Sequence, residues 1–290
     1  MYVLKQLLDL DWGRIIDDVE SFVKNYVEGS RASGAVIGLS GGVDSSVTLT
    51  LLVRALGAEK VLGLIMPTEF TPRQDIEDAM WLAEKMGIRY RLIKIDGIVN
   101  EYKRSAGIEE NPSTRIALAN LRARIRMTLL YLHANMENLL VTGTSDRSEI
   151  LLGYYTKYGD GASDFLVISH LYKTQVRELG KRLGLPERIY AKPSSPQLYP
   201  GHRAIDELPA DYETIDQVFY LVLDRGYSIE EASKTLKIDP HTAATIIKRY
   251  LDTEHKRSLP PSPKIYTAPI DKKILGREVK NILGVETKIK

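Results

Sequence analysis

The sequence predicts an α/β protein: a parallel sheet flanked by helices, with a helical C-terminal elaboration. Three observations carry this. Short apolar runs bounded by glycine or proline alternate with helical patterns from Trp12 to about Gly184. A Ser-Gly-Gly-Val-Asp-Ser turn joins the first apolar run to the helix behind it. Beyond Gly184 the strand signals stop while helical patterns continue. Alternating strands and helices require right-handed crossovers and a parallel sheet.

The elements follow in order. Trp12 to Glu28 carries an apolar helical pattern (Ile15, Ile16, Val19, Phe22, Val23, Tyr26), ended by Gly29. Ala35 to Leu39 suits a strand buried on both faces. Ser45 to Leu56 reads as helix, and Val61 to Met66 as a second strand closed by Pro67. Thr71 to Met86 is an amphipathic helix with Gly87 at its C-terminal cap. Tyr90 to Ile95 is the third strand, ended by Asp96-Gly97. Pro112 to Met136 is the longest helix, Leu139 to Thr144 the fourth strand and Phe165 to Ser169 the fifth. Lys173 opens the next helix, and Pro193 to Pro209 is loop. Asp211 to Arg225, Ser228 to Leu236 and Pro240 to Glu254 read as helices, with Ser228 and Asp239 as N-caps. A proline-rich turn follows from Lys256 to Pro263, and Ile265 to Lys290 carries no motif. The expected organisation is one domain over 1–290. Its α/β core covers 1–184, and a lid loop and helical part cover 185–290.

Composition removes whole classes of chemistry. Cys is 0, which excludes disulfides, Cys-ligated zinc, iron–sulfur clusters and a thiol nucleophile. The five histidines show no H-E-x-x-H spacing, and Gly-x-Ser-x-Gly is absent. Forty basic against 38 acidic residues give a net charge of +2, with no global pull toward nucleic acid. No apolar run reaches the ~18 residues that span a bilayer. Asp9 and Asp11 do not suit a signal peptide, so the expected location is the cytoplasm.

The chemistry centres on Leu39-Ser-Gly-Gly-Val-Asp-Ser-Ser46, between a strand and a helix. Gly41 and Gly42 let backbone N–H groups approach an anion, and the helix N-terminus favours negative charge. Ser40, Ser45 and Ser46 add hydroxyl donors. The Walker G-x-x-x-x-G-K-[ST] pattern is absent. Asp44 would repel a bare phosphate, and Mg²⁺ carried with a triphosphate resolves the conflict. The fourth strand runs into Thr142-Gly-Thr-Ser-Asp-Arg-Ser-Glu149. Ligands of open parallel sheets bind beyond the strand carboxyl ends, so Glu149 is placed to share a metal with Asp44. A second glycine turn, Gly153-Tyr-Tyr-Thr-Lys-Tyr-Gly-Asp-Gly161, follows, then Asp164. Lys173, a cation opening a helix, is electrostatically misplaced unless it serves an anion.

From Asn111 to Met136 there is no acidic residue, yet Arg115, Arg122, Arg124 and Arg126 are present. At about 100° per residue, Leu118, Leu121, Ile125, Leu129 and Leu132 share one face, with Ile116, Ala119, Ala123, Met127 and Leu130 nearly opposite. A helix apolar on two sides is sandwiched, which predicts a homodimer seam. Arg122 and Arg126 read as structural salt-bridging residues and Arg124 as a ligand contact.

The Ser40 loop resembles the PP-loop of the ATP pyrophosphatase superfamily. Taken with Arg-Ala-Arg-Ile-Arg-Met127, Gly-Thr-Ser-Asp-Arg-Ser-Glu149, the Gly153–Gly161 turn, Pro193-Ser-Ser and Glu254-His-Lys-Arg257, the chain from Trp12 to Pro263 resembles the ammonia-dependent NAD⁺ synthetases. The resemblance implies a Rossmann-like, adenine nucleotide alpha hydrolase-like fold. It also implies ATP- and Mg²⁺-dependent amidation of deamido-NAD⁺ by free ammonia, through an adenylate, with release of AMP and pyrophosphate. It assigns the ATP phosphates to Gly38, Leu39, Ser40, Gly41, Gly42, Val43, Asp44 and Ser45, and further ATP contacts to Thr144, Lys173 and Ser195. Mg²⁺ falls to Asp44 and Glu149, and deamido-NAD⁺ to Arg124, Lys157, Asp164, His255 and Lys256. Asp160 is read as holding ammonium and easing its deprotonation. Two departures stand out. Ser195 replaces a more usual Thr, and His202-Arg203 stands where a Gln-Thr-like pair is expected. Two alternatives stay open: a GMP-synthetase-like adenylating ligase, and a non-catalytic adenine-nucleotide sensor.

Overall fold

The computed structural model describes residues 2–261 and 263. The motif-free stretch from Ile265, and Ser262 in the expected proline-rich turn, lie outside the described residues. The chain divides into Met1–Arg257 and Ser258–Lys290. The described part of the second unit is irregular chain.

In the first unit, the strands are β1 (Gly34–Gly38), β2 (Val61–Ile65), β3 (Arg89–Leu92), β4 (Leu139–Gly143) and β5 (Phe165–Leu166). They form one sheet in the order β3-β2-β1-β4-β5, parallel throughout. Ala35 pairs with Val61 on one side and with Leu140 on the other. The chain works outward from β1 to β3, then crosses back to β4. The loops after β1 and β4 therefore diverge at a topological switch point, where such sheets bind ligands. The fifth strand is only two residues long, because its register reaches no further than Thr142 and Gly143.

The helices, in chain order, begin with α1 (Tyr2–Leu8), α2 (Trp12–Gly29), α3 (Val43–Leu56), α4 (Arg73–Lys85) and α5 (Asp96–Ala106). Then come α6 (Arg115–Glu137), α7 (Arg147–Leu152), α8 (Lys173–Arg182), α9 (Glu187–Tyr190) and α10 (Tyr212–Phe219), which runs on into a π-helical turn over Tyr220–Asp224. The last are α11 (Ile229–Leu236), α12 (Pro240–Asp252) and α13 (Glu254–Arg257).

Strand alternation sorts the sheet's two faces. Ala35 and Ile37 pack with Val23 of α2, Leu51 of α3, Leu82 of α4 and Val176 of α8. Val36, Leu62 and Leu64 face the other way, against Val99 of α5 and Ile125 and Ala134 of α6. A separate core joins Leu7 of α1 to Ile215 and Phe219 of α10 and Ile246 of α12. The short α1 thus packs with the C-terminal helices. Ser228 and Asp239 cap α11 and α12 as expected, accepting from the N–H groups of Glu231 and His241.

Two expectations are corrected. The third strand is Arg89–Leu92 and stops short of the expected Ile95, and Asp96-Gly97 opens α5, with Asp96 Oδ1 accepting from Glu69 N at 3.0 Å. The sandwich expected for α6 holds over its middle only, since Ile116 is 54% and Leu132 51% exposed. A 23-residue helix runs about 34 Å, far longer than the five-residue strands beneath it, so its ends overhang the sheet.

The loop after β1 turns on Gly41, at φ +74; a Cβ there would stand 2.2 Å from Asp75 O in α4. Gly42 is extended, and its Cβ would meet only Ser40 Oγ at 3.3 Å. Gly41→Ala should therefore cost about 1–3 kcal/mol of unfolding free energy, the scale of a forced left-handed residue, and Gly42→Ala distinctly less. Urea unfolding of both variants checks this, and equal losses would contradict it.

Candidate active site

The β1–α3 loop is built from its own hydroxyls. Ser45 Oγ lies 3.1 Å from Ser40 Oγ and donates to Gly42 O at 3.2 Å, and Ser46 Oγ donates to the same carbonyl at 2.7 Å. These bonds curl the loop over the start of α3, which puts Asp44 in its first turn.

Across the switch point, Asp146 caps α7 by accepting from Glu149 N at 2.8 Å. This places Glu149 in the first turn, facing Asp44. Lys173 opens α8 between them. Its Nζ donates to Asp44 Oδ2 at 2.7 Å and to Glu149 Oε1 at 2.8 Å. Asp146 Oδ2 lies 2.9 Å away, at ion-pair distance without hydrogen-bond alignment. Tyr212 offers its ring 5.2 Å from the same nitrogen. Lys173 and Asp146 are fully enclosed, whereas Asp44 and Glu149 keep 22% and 21% of their side chains open. Burial pulls the Lys173 ammonium down, but Asp146, Asp44 and Glu149 together push it well above its ordinary pKa. Burial pushes the Asp146 carboxyl up to about 6 against the pull of Lys173. Glu149 is raised for the same reason.

Asp44, Glu149 and Tyr212 border a cavity of about 280 Å³. Gly38, Leu39, Ser40, Gly42, Val43, Asp44 and Ser45 line it, with Thr144, Glu149, Asp160 and Ser195. Of the residues expected to contact ATP, Gly41 and Lys173 do not reach this lining; Lys173 is enclosed behind Asp44 and Glu149. Asp160 Oδ1 accepts from Thr156 N at 2.9 Å, and burial raises its carboxyl above the usual range against Lys256 and Arg126. Ser195 Oγ donates to His202 O. The strap carrying Ser195 is fixed by Lys192 and Gln197 on the buried Asp75 carboxylate, and by Arg122 Nη1 on Leu198 O at 3.1 Å. His202 is buried, stacked on Tyr199 at 3.9 Å, with Nε2 3.1 Å from Glu207 Oε2.

The residues assigned to the dinucleotide lie outside that lining, and four of them, Arg124, Lys157, His255 and Lys256, form a second group. Arg124 Nη2 donates to Lys157 O at 3.2 Å, and Lys157 Nζ to His255 O at 2.6 Å. Lys256 Nζ donates to Gly153 O and Tyr155 O at 2.6 and 2.7 Å, while its own carbonyl accepts from Tyr155 O–H at 2.7 Å. Asp164 is drawn into the fold. Its carboxylate accepts from Val141 N at 2.7 Å and from Tyr131 O–H at 3.2 Å.

The arginine helix divides differently from expectation. Arg122 is a salt bridge, 2.8 Å from Glu110. Arg126 makes no ion pair among the described residues. Its Nε donates to Met66 O at 3.0 Å, it lines the cavity, and burial lowers it to about 10 despite Asp160. Sequence reasoning also missed Asp146 and the buried Asp216. An Asp three residues before Glu149 is a capping pattern that marks the first. A polar residue within a helical apolar pattern gives no such signal for the second.

A phosphate loop after the first strand, facing a carboxylate pair across the switch point of a parallel sheet, defines an α/β nucleotide-handling protein. The NAD synthase family profile matches residues 15–260, and the chain belongs to that family. It is 55% identical over 261 residues to the NH₃-dependent NAD⁺ synthetase of Hyperthermus butylicus, covering 90% of this chain and 94% of that one. Among solved structures, the NH₃-dependent NAD synthetase of Campylobacter jejuni has a TM-score of 0.74 at 34% identity, covering 88% of this chain and all of that one. The NMN synthetase of Francisella tularensis has a TM-score of 0.77 at 31% identity, over 89% of this chain.

Lys173→Ala leaves three carboxylates facing one another without their cation. It should destabilise the fold by about 3–5 kcal/mol, the scale for breaking a buried ion pair. Denaturant unfolding measures this, and a loss below about 1 kcal/mol would show that the cluster is not held by that ammonium.

Proposed function

We propose that the chain amidates deamido-NAD⁺ to NAD⁺ with free ammonia, consuming ATP and releasing AMP and pyrophosphate. The observation that carries this is the pairing of Asp44 and Glu149 across a cavity lined by the Ser40 loop, in a member of the NAD synthase family. The loop N–H groups and the α3 N-terminus suit the triphosphate.

Asp44 and Glu149 fit Mg²⁺. Asp44 Oδ1 is buried and lacks a hydrogen-bond partner, while Oδ2 holds Lys173. Among the described residues no group of three or more acidic or His side chains is arranged for a metal. Two carboxylates completed by phosphate oxygens and water are the usual magnesium set. Asp44 and Glu149 would hold Mg²⁺ there, and the ion would supply charge neutralisation for a pyrophosphate leaving group.

A nicotinate carboxylate oxygen attacks the α-phosphorus, and the bond to the β-phosphate oxygen breaks. The Ser40 loop holds the charge that develops. Ammonia then attacks the acyl carbon, the C–O bond to AMP breaks, and the nitrogen loses a proton. Asp160, enclosed at the cavity wall, is placed to hold the incoming ammonium. Thr144 and Ser195 complete the ATP seat, while Lys173, expected there too, is sealed behind Asp44 and Glu149 and holds them in place. Arg124, Lys157, His255 and Lys256 hold the dinucleotide beside that seat, whereas Asp164, expected with them, is spent on Val141 N and Tyr131 O–H. Closure of Tyr199–Asp211 and of the Lys256 segment keeps water from the adenylate.

Leu132 and Met136, one turn apart at the C-terminal end of α6, are 51% and 66% exposed, and this apolar end supports a homodimer. No helix among the described residues is long and apolar enough to cross a membrane. The reaction belongs to the cytoplasm, where ATP and the dinucleotide are at hand.

The test is an end-point assay with Mg·ATP, deamido-NAD⁺ and ammonium chloride. Equal NAD⁺, AMP and pyrophosphate are expected, and none without ammonium. AMP without NAD⁺ would point to another acceptor. No AMP at all would leave only nucleotide binding. Asp44→Ala and Glu149→Ala should each lower turnover at least ~10²-fold, the scale of losing one strong charge-stabilising element. Wild-type rates in either would end the metal assignment. Arg124→Ala should raise the KM for deamido-NAD⁺ more than that for ATP in steady-state kinetics, and equal rises would make Arg124 merely structural.

A further inference from the structure

Helix α8 caps only part of its own start: Gln175 Oε1 accepts from the N–H of Tyr172, the N-cap residue, at 2.8 Å. The N–H groups of Lys173 and Thr174 must find acceptors elsewhere. They find them on two other helices. Lys173 N donates to Ser148 Oγ of α7 at 2.8 Å. Thr174 N and Thr174 Oγ1 both donate to Asp216 Oδ2 of α10 at 2.8 Å. Ser148 Oγ in turn donates to Asp216 Oδ1. Asp216 and Ser148 are fully buried. One carboxylate from the C-terminal helices therefore ties the residue before Glu149 to the residue after Lys173.

We propose that Asp216 is a positioning residue: through Ser148 and the first turn of α8, it sets where Glu149 and Lys173 stand relative to each other and to Asp44. The inference rests on the reading that Asp44 and Glu149 serve Mg·ATP. A displacement of either helix end moves a carboxylate or its ammonium, and both were fixed by bonds of 2.7–2.8 Å. Keeping this carboxylate has a physical cost. Burial pushes it up to about 7, against the bonds from Ser148 and Thr174. A polar asparagine would fill the same space without that burden. The carboxylate has the advantage of accepting on both oxygens, which matches three donors converging from two helices.

The test uses the full chain and the variants Asp216→Asn and Ser148→Ala. Three quantities are read: kcat, the KM for each substrate, and the rise in thermal midpoint produced by Mg·ATP alone. Partners one step behind a metal ligand typically change affinity or activity by about 10–100-fold. Asp216→Asn should lower kcat by that factor and shrink the Mg·ATP-induced rise, leaving the KM for deamido-NAD⁺ unchanged. Ser148→Ala should show the same pattern, and the double variant should be no worse than the worse single one, because both cut one chain of bonds. A lower midpoint without ligand, with wild-type kcat and an undiminished Mg·ATP-induced rise, would overturn the proposal. Should Asp216→Asn fail to fold, Ser148→Ala decides alone by the same readings. Glu149→Ala separates the two levels. Wild-type turnover there would overturn the metal reading and this inference together. Lost turnover there, with both positioning variants intact, would overturn this inference only.

Discussion

A buried ammonium ion holds this site together. Desolvating Lys173 is strongly unfavourable unless opposite charge surrounds it at close range. The three carboxylates that offset that cost come from two places: Asp44 from the start of α3 after β1, and Asp146 and Glu149 from the start of α7 after β4. The ion cluster thus bridges the switch point of the sheet and fixes the two helix starts against each other. It also divides its members by access. Lys173 and Asp146 are sealed, while Asp44 and Glu149 each leave part of a carboxylate facing the cavity. The sealed pair supplies position, and the open pair faces the cavity.

The second constraint is on the other wall. Arg126 enters the cavity with its Nε spent on a backbone carbonyl, and Asp160 is enclosed nearby. The cavity therefore carries the Asp44 and Glu149 carboxylates on one side and a guanidinium with the Asp160 carboxyl on the other. Such a lining suits a substrate set that includes a triphosphate, a carboxylate and ammonium. The Pro193 strap closes this space through Asp75 of α4, whose backbone carbonyl also abuts Gly41. Loop, strap and α4 are mechanically one unit.

Much of this was legible in the chain. The order of strands and helices followed from apolar runs and glycine breaks, because strands buried on both faces leave unbroken apolar stretches. The Ser40 loop was legible because Gly41 must adopt positive φ and no other residue does so cheaply. Asp44 and Glu149 were found by charge logic at strand ends. What escaped depends on contacts between segments distant in sequence. Asp216 looks like any polar helix position until α7 and α8 are placed around it. Arg124 and Arg126 differ only by two positions on one helix. Which of them enters the cavity is decided by the helix's rotation on the sheet, which an apolar pattern on both sides leaves undetermined. The helix α5 was hidden by an Asp-Gly pair that serves here as a helix start. His202 was read as a departure in a lid, and its burial against Tyr199 and Glu207 needs the folded loop to be seen.

The most direct measurement follows an oxygen atom. Deamido-NAD⁺ labelled with ¹⁸O in the nicotinate carboxylate would be turned over with Mg·ATP and ammonium, and the products read by mass spectrometry. If the carboxylate attacks the α-phosphorus beside the Ser40 loop, one labelled oxygen passes to AMP and none to pyrophosphate. Label in pyrophosphate or inorganic phosphate, or AMP free of label, would contradict attack at that phosphorus.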